Sequence, residues 1–529
     1  MFFGAPVPGV FEPVTVPAPI GGLNARDSLV AMPETDAIVL TNWWPQPYGC
    51  SVRKGYIEWA TGLTDEVETL ATWADIDGDE VLFAWAGTSM WDVTTRGAVG
   101  TADITGLTNA RWNWVNLTNS AGNNLIAVNG FDNGIIYKAA GLARITAGDG
   151  IVANTWAGLN PAVAIQLTVH QSRLWAVEKD SSAGWYLPPD AIQGTFVKFD
   201  FGPLFSKGGF LEFLTTWTLD DGNGAEDHLI AVSSEGEAVV FSGTDPDDDA
   251  KWGLKGVYFI GAPVSGRRGY VKAGGDQIIL TERGAVSMSA TLTSTKVNDA
   301  DNKLKSAKIQ FLISELVSTY IDLDGWQLSY FTGINMLMVS IPSVTAGGNV
   351  QLVSNQIIDA WAQFSGMDAS CWGTFAKTPF FGDYSGRVLK AWTGFSDNVL
   401  LDNSGGLGIT ATVQQAYSYL GRQASQKQVG MYRPTFVVTS EVGYNAAIIY
   451  DFKPQVVTDP SVVAAESGSL WGTALWGTGV WGGGTQVQRS WVQAEGMGVA
   501  ASLLMIVRSD SEVLWVATDY SVVKGNGIL

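Results

Sequence analysis

The chain is predicted to be an all-β protein, a β-propeller of six or seven blades with an additional C-terminal β domain. Its 529 residues include 62 glycines, 22 tryptophans and 22 phenylalanines, and only 16% are charged. This composition favours short aromatic strands joined by tight turns. The length exceeds the roughly 250 to 300 residues that one hydrophobic core supports, so more than one domain is expected.

A strand pattern recurs through the middle of the chain and is the main argument for a propeller. It is a polar residue followed by apolar alternation, and in most copies a Gly or Asn turn and a second strand follow. The copies begin at Glu80, Asn124, Arg173, His228, Gln277 and Asn335. A degenerate copy near Pro379 raises the number to about seven units, spaced by roughly 45 to 60 residues as propeller blades are. A β-sandwich architecture would require these strands to form several independent domains. The sequence contains no linker that would separate such domains.

These patterns divide the chain into three predicted segments. Residues 1–60 form an extended N-terminal arm that leads into the propeller, residues 61–405 form the propeller, and residues 406–529 form a β-rich platform domain. The platform contains the strand-like stretches TFVVTS and AAIIYDF on either side of an EVGYN turn. One short helix is predicted from Lys305, where apolar residues recur at spacings of three and four.

The N-terminal arm is rich in proline, which prevents a helix and favours an extended chain. Phe2, Phe3 and Phe11 lie in this arm. A frayed terminus would leave these rings in water, so docking on a neighbouring subunit is favoured.

A Trp-Gly run, SLWGTALWGTGVWGGG, lies in the platform domain and places Trp471, Trp476 and Trp481 five residues apart. The sequence supports two interpretations of this run equally. The rings form a contact tip or subunit interface, or they pack as an aromatic ladder on their own domain.

The acidic composition argues against a protein that clamps nucleic acid. With 31 basic and 51 acidic residues, the formal net charge is -20. Such a surface repels a duplex, although a channel that must pass DNA without holding it is better lined with acidic or neutral groups. The start of the chain lacks a signal-peptide pattern and no stretch is apolar enough for a membrane helix, which predicts a soluble protein made in the cytoplasm.

No enzyme site, cofactor site or metal site is predicted. His170 and His228 are the two histidines, and both lie in alternating strand patterns without metal-ligand spacing. Cys50 and Cys371 form no CxxC motif and are expected to be buried free thiols. A glycine-rich phosphate loop is also missing from the sequence.

The acidic run from Asp75 to Glu80 is the best candidate for a calcium loop. Its position between two apolar strands favours a simpler interpretation, in which Asp77 and Gly78 form the type I′ turn of a hairpin. Calcium binding at this loop stays open.

The stretch from Gly21 to Tyr56 resembles the N-terminal region of podophage tail nozzle proteins, also called tail tubular protein B. The resemblance covers a GGLN-type start, an Asn-Trp pair and an RKGY-type ending, and it extends loosely into the blades, the segment from Ser425 and the C-terminus. The matching residues are Gly21, Gly22, Leu23, Asn24, Asp27, Asn42, Trp43, Arg53, Gly55 and Tyr56.

The resemblance implies a non-enzymatic subunit of a virion tail. It implies a homo-oligomeric ring, six subunits in the family, stacked below portal and head–tail adaptor proteins, holding tail fibres and passing double-stranded DNA without specific binding. The expected interface or anchor residues are Phe2, Phe3, Phe11, Trp43, Arg53, Tyr56, Trp471, Trp476 and Trp481. The alternatives are a carbohydrate-binding or host-surface-binding propeller and a propeller glycoside hydrolase.

Overall fold

The computed structural model describes residues 11–220, 225–293, 304–343, 348–423, 425–461 and 485–524. The chain folds into two compact units. The terminal unit comprises Met1–Ile57, Gln351–Gly366 and Trp392–Leu529, and the propeller unit comprises Glu58–Val350 and Met367–Ala391. The N-terminal segment and the C-terminal region therefore share one unit, whereas the predicted division at residues 60 and 405 treats them as separate segments.

The N-terminal segment contributes six strands. They are β1 (Phe11–Pro17), β2 (Gly22–Leu23), β3 (Asp36–Thr41), β4 (Trp43–Gln46), β5 (Gly49–Val52) and β6 (Tyr56–Thr61). β1 pairs along its whole length with the last strand of the same chain, from Phe11 opposite Val523 to Pro17 opposite Ala517. From residue 11 onward, the arm expected to dock on a neighbour therefore lies on its own chain, because an extended Pro-rich strand can cover a free sheet edge.

Short strands follow one another through the first part of the propeller unit. They are β7 (Val67–Ala74), β8 (Glu80–Ala86), β9 (Ser89–Asp92), β10 (Gly97–Ala98), β11 (Asn113–Asn119), β12 (Gly122–Val128), β13 (Ile135–Lys138), β14 (Gly141–Arg144), β15 (Thr146–Ala147), β16 (Thr155–Ala157), β17 (Ala164–His170), β18 (Arg173–Glu178), β19 (Ala183–Tyr186), β20 (Gly194–Thr195), β21 (Val197–Asp200), β22 (Leu211–Asp220), β23 (Ala225–Ser233), β24 (Glu237–Gly243), β25 (Trp252–Phe259), β26 (Tyr270–Ala273), β27 (Asp276–Thr281) and β28 (Gly284–Ser287).

Within the described ranges, five antiparallel sheets of three or four strands form the blades of a propeller. They are β7–β9, β11–β14, β17–β18–β19–β21, β22–β25 and β26–β28. Their second strands are almost completely buried, since they are covered by the blades on both sides. Aromatic pairs join successive blades: Trp85 stacks on Trp112 with ring centroids 6.2 Å apart, and Phe213 stacks on Tyr270 at 4.6 Å.

In the described residues, two α-helices lie between the strands, α1 (Met288–Thr293) and α2 (Gln310–Tyr320). α2 confirms the helix predicted from Lys305 and buries Ile313 and Val317, four residues apart, beside β28. Single 3₁₀ turns lie at Pro161–Val163, Gly202–Leu204, Ala307–Ile309 and Thr332–Ile334.

The next eight described strands after α2 lead toward the C-terminal region. They are β29 (Gln327–Phe331), β30 (Met336–Ile341), β31 (Val350–Asn355), β32 (Ala360–Phe364), β33 (Ala369–Phe375), β34 (Thr378–Asp383), β35 (Val388–Ala391) and β36 (Ser396–Val399). β29 packs against β26 and β33 packs against β7, so these strands fill the interval between the fifth blade and the first.

The blade count differs from the prediction. All seven copies of the repeat lie on or beside strands, but only five belong to sheets that stand apart in the described part of the chain. The copies at Asn335 and Pro379 lie at β30 and β34, whose sheet continues into further strands instead of ending as a blade. Apolar periodicity indicates a strand but does not indicate which neighbouring strand will pair with its edge. The predicted number of six or seven blades is therefore higher than the five separate sheets that the described residues form.

The described residues from Gly405 onward form the second β region of the prediction. Its strands are β37 (Gly405–Gln415), β38 (Lys427–Val438), β39 (Gly443–Tyr450), β40 (Gln486–Arg489), β41 (Val492–Gln493), β42 (Met497–Gly498), β43 (Ala501–Ser509) and β44 (Val513–Lys524). β38 and β44 pair over almost their whole lengths and carry alternating buried residues, and β5 also pairs with β44. The additional β domain is confirmed as a barrel-like sheet, to which N-terminal strands also contribute.

Candidate functional site

A cavity of about 430 Å³ lies among the first strands of the blades. A second cavity of about 240 Å³ shares part of its lining, including two consecutive arginines. The first strand of each propeller blade faces the central channel, so both cavities lie near the propeller centre. The charged residues that line the larger one are Glu68, Arg111, Arg267, Arg268 and Asp324.

Arg268 holds neutral oxygens of two blades. Its Nη1 donates to the Glu68 carbonyl at 2.7 Å, and its Nη2 donates to Thr69 Oγ1 at 2.6 Å and to the Trp112 carbonyl at 2.9 Å. Burial, and then the charge of Arg111, lowers the pKa of this guanidinium to about 10. Within the described residues, no carboxylate forms an ion pair with Arg268.

Arg111 uses both carboxylates of the lining. Its Nη2 lies 2.8 Å from Glu68 Oε1 and its Nη1 lies 2.7 Å from Asp324 Oδ2. The two acidic side chains thus balance Arg111, and of the two neighbouring arginines only Arg267 lies within ion-pair distance of another described carboxylate, that of Glu212.

Arg267 has the least satisfied guanidinium of the three. Its Nε is buried and lies 3.4 Å from Glu212 Oε1, without the geometry of a hydrogen bond. Its backbone has a φ of 58°, a left-handed conformation that costs energy for a residue with a Cβ. No described group hydrogen-bonds to its terminal nitrogens.

Two carboxyl groups near these arginines, those of Glu66 and Glu212, have raised pKa values. Burial, followed by repulsion from Glu68, raises the pKa of Glu66 to about 7, although Arg111 opposes the shift. Burial also raises the pKa of Glu212.

The predicted anchor Arg53 lies in the terminal unit, far from solvent at 1% relative exposure. All five of its N–H groups are used. They bond to Asp397 through both carboxylate oxygens at 2.7 and 2.6 Å, to Asn42 Oδ1 at 2.9 Å, and to the carbonyls of Lys54 and Ser365 at 3.0 and 2.8 Å. We call Arg53, Asn42, Asp397 and Ser365 the Arg53 cluster.

Asn42 completes this cluster from a left-handed backbone conformation with a φ of 60°, which asparagine tolerates better than most residues. Its side-chain amide donates to the Thr410 carbonyl at 2.8 Å and its Oδ1 accepts the Ser365 N–H at 2.9 Å. Gly55 lies nearby, and a Cβ there would come within 1.8 Å of the Ser396 carbonyl oxygen.

The GGLN motif has a similar structural explanation. Gly22 has a φ of 81°, and a Cβ there would lie 2.6 Å from the Trp361 carbonyl oxygen. The buried Asn24 donates to Asp36 Oδ2 at 2.7 Å and to Asp27 Oδ2 at 2.9 Å. These motif residues therefore organise the interior of the terminal unit.

The other predicted interface residues have different surroundings. Trp43 is completely buried, with its ring centroid 5.7 Å from that of Trp515. Tyr56 is partly buried and donates to the Gly366 carbonyl at 3.3 Å. Phe11 is 57% exposed on β1. The remaining predicted residues, Phe2, Phe3, Trp471, Trp476 and Trp481, lie outside the described residues.

The histidines and cysteines are buried in the interior. Burial lowers the pKa of His170 to about 4, and its Nδ1 lies 2.9 Å from Thr216 Oγ1. Cys50 and Cys371 are buried free thiols, as predicted, and burial raises the pKa of Cys371 to about 12.

The acidic loop forms a hairpin turn, as the preferred interpretation held. β7 and β8 pair up to Ala74 opposite Glu80, and the Asp75 N–H donates to the Asp79 carbonyl at 2.7 Å. Gly78 has a φ of 91° but Asp77 does not have a positive φ, so the turn is not type I′. The loop has five residues rather than two, and so a different turn closes it.

The described residues offer neither a metal cluster nor a membrane helix. They contain no group of three or more His, Cys, Asp or Glu side chains placed to hold a metal ion. In that same part of the chain, none of the helices has the length and apolar character needed to cross a membrane.

Sequence reasoning missed the arginines of the cavity. The Arg267–Arg268 doublet in the stretch SGRRGY was the available signal, because adjacent arginines stand out in a chain of net charge -20. The partners of these arginines come from distant blades, so their environment could not be read from sequence spacing.

No family model matches this chain, and neither does any curated protein. Among solved structures, the chain is similar to BBS1N from a crystal structure with ARL6DN, at 12% identity and a TM-score of 0.39, covering 64% of this chain and 97% of that one. It is also similar to the Cps50 (Swd1) β-propeller domain of Myceliophteria thermophila, at 11% identity and a TM-score of 0.35, covering 64% and 99%. A similarity to PorZ of Porphyromonas gingivalis has 10% identity and a TM-score of 0.33, covering 76% and 52%. At these values the similarities carry no argument about activity or partners.

Proposed function

We propose that this chain is a non-enzymatic structural subunit of a short phage tail, a nozzle protein that forms a ring around the path of the ejected DNA. In this proposal the ring joins the portal and adaptor proteins, retains packaged DNA, anchors tail fibres and belongs to the virion tail.

The observation that carries the proposal is the Arg53 cluster. The residues that resemble the nozzle family, including Asn42, Arg53 and Gly55, lie in one close-packed, hydrogen-bonded region of the terminal unit. Since they hold the interior of the terminal unit and line neither of the two cavities described above, we attribute the resemblance to a scaffold. A scaffold of this kind suits a protein whose work is mechanical.

The surface of the terminal unit also suits assembly. Several large apolar side chains of its long sheet and the adjoining loops are at least 40% exposed, namely Phe11, Met431, Val487, Trp491 and Met497. The Phe11 ring lies against Gly430, where a Cβ would come within 2.7 Å of it. Exposed apolar groups are common at contacts between subunits.

The charge of the chain fits a conduit. A net charge of -20 makes adhesion of a passing duplex unfavourable, so DNA would move with little electrostatic friction.

Electron microscopy of the purified full chain, alone and mixed with portal and adaptor proteins from the same genome, tests the proposal. We expect rings or tubes with a channel wide enough for a duplex. Stable monomers that never join such a complex would overturn it.

A deletion of residues 1–10 probes the predicted contact of Phe2 and Phe3 while leaving β1 intact. We expect weaker ring formation at unchanged thermal stability of the subunit. Its control replaces the same ten residues by a Gly-Ser segment of equal length, which separates loss of the side chains from loss of chain length. Full ring formation by both variants would exclude residues 1–10 from the interface.

A further inference from the structure

The larger cavity of the propeller unit has the chemistry of an anion site. Three arginines and two carboxylates line it, a net charge of +1, and the carboxylate of Glu212, outside the lining, lies 3.4 Å from Arg267 Nε, so that Arg268 is the lining arginine without a described carboxylate partner. We propose that this cavity binds a small carboxylate-bearing ligand of the acidic-sugar class, with Arg267 and Arg268 holding the carboxylate.

The charge balance within the cavity supports an anion. Glu68 and Asp324 both pair with Arg111, at 2.8 and 2.7 Å. Arg268 bonds only to two carbonyls and a hydroxyl among the described groups. Arg268 is partly buried, and removing a cation from water without a counter-ion is costly, so a bound carboxylate would supply the missing partner.

The free hydrogen-bonding capacity of Arg267 also indicates an anion site in this cavity. Arg267 presents terminal nitrogens that no described group occupies, and its strained backbone holds the side chain at the cavity. The planar fork of a guanidinium matches the two oxygens of a carboxylate. Arg268, fixed by its three bonds, provides a positioned positive charge beside that fork.

The remaining lining favours a sugar over a bare anion. The cavity volume of about 430 Å³ falls within the usual range for small-molecule sites. Phe131 lies at the cavity with 54% of its surface exposed; the Lys179 ammonium lies over one face of its ring at 3.8 Å from the centroid, and the proposal places the sugar ring on the opposite face. Asp324, whose side chain is 58% exposed, and Asn109 add polar groups for hydroxyls.

The test is isothermal titration calorimetry of the full chain with glucuronate, compared with glucose, acetate and inorganic phosphate. We expect glucuronate to bind about 10-fold or more tightly than each of the others, since the carboxylate and the ring both contribute. No binding of glucuronate, or equal binding of glucose, would overturn the proposal. Equal binding of phosphate or acetate would reduce the site to a general anion site and reject the acidic-sugar class.

Arg267→Gln is the diagnostic variant, and Lys251→Gln is its matched control. Lys251 is an exposed cation of the same unit, paired with Asp248 at 2.8 Å, so its loss changes the net charge equally. We expect Arg267→Gln to weaken glucuronate binding by about 10-fold or more and Lys251→Gln to leave it unchanged. Equal effects of the two variants, or none from Arg267→Gln, would contradict the assignment.

A measurement on the unmodified chain keeps the proposal testable if Arg267→Gln does not fold. Raising the salt concentration from about 0.05 M to about 0.5 M should weaken glucuronate binding, because it screens the attraction between the arginines and the carboxylate. Binding that does not depend on salt would argue against the arginines. Ring formation is a separate readout, so failure here leaves the proposed function standing.

Discussion

Arg53 in the terminal unit and Arg268 in the propeller unit are both held by several hydrogen bonds, but they differ in their partners. Arg53 meets both oxygens of Asp397 and has no N–H left over. Arg268 meets carbonyl and hydroxyl oxygens and lies beside a cavity. The comparison indicates that Arg53, buried with its own carboxylate, holds the interior of the terminal unit, whereas the partly buried Arg268, which has no described carboxylate partner, is able to bind a ligand.

The largest expected effect comes from removing the Arg53 side of this comparison. Arg53→Met leaves the Asp397 carboxylate, 13% exposed, without its partner. We expect the free energy of unfolding to fall by about 3 kcal/mol or more in urea titrations followed by tryptophan fluorescence.

Two further variants decide whether the charge pair explains that loss. Arg53→Met combined with Asp397→Leu should recover part of the stability, because no charge is then left unpaired. Arg268→Met should cost less, about 1 to 2 kcal/mol, because it leaves only neutral oxygens without a donor. An equal cost for Arg53→Met and Arg268→Met would break the comparison.

A smaller effect is expected from the close packing around the Arg53 cluster. Gly55→Ala places a Cβ 1.8 Å from the Ser396 carbonyl oxygen, so the two backbone segments must move apart. We expect a loss of about 1 to 3 kcal/mol in the same urea titration. Gly100→Ala is the control, since nothing lies within 4 Å of its Cβ position. A similar cost at both glycines would reject the steric explanation.

The smallest effect concerns the electrostatics beside the cavity. Because the folded-state pKa of Glu66 is raised to about 7, the folded state holds its proton more tightly than the unfolded state, whose pKa is about 4.3. Glu66 therefore reduces stability progressively as the pH rises between these two values, and fully above about 7.

Glu66→Gln should remove this loss and raise the melting temperature at pH values above 7, with little effect below 4. Thermal unfolding across that pH range measures it. Glu235→Gln, at an exposed turn position, is the matched control and should leave the pH profile of the wild type unchanged. A profile for Glu66→Gln that still falls with pH like the wild type would contradict the assignment.

Much of the fold was predictable because the burial of a strand requires a local pattern of apolar residues in the sequence. The copies at Asn124 and Arg173 precede runs of buried residues, and both runs form inner strands of blades. The helix from Lys305 was readable for the same reason, since spacing of three and four places Ile313 and Val317 on one buried face. The blade count was not predictable, because pairing at a sheet edge depends on distant strands.

The candidate site was less accessible to sequence reasoning. The motif from Gly21 to Tyr56 was visible, but its role in the Arg53 cluster depends on Ser365 and Asp397, more than 300 positions away along the chain. The Arg267–Arg268 doublet was also visible, yet Glu68 and Trp112 become its neighbours only in the folded propeller.

The sequence by itself determined the all-β class, the repeating strands, the two buried thiols and the acidic charge, because composition and apolar periodicity act locally and additively. Only the tertiary structure decided that Phe11–Pro17 pairs with the end of its own chain, that Arg53 receives a carboxylate and that Arg268 does not. Those outcomes depend on which segments, distant in sequence, come into contact. The free energy of such contacts comes from packing and desolvation, which a local sequence pattern does not indicate.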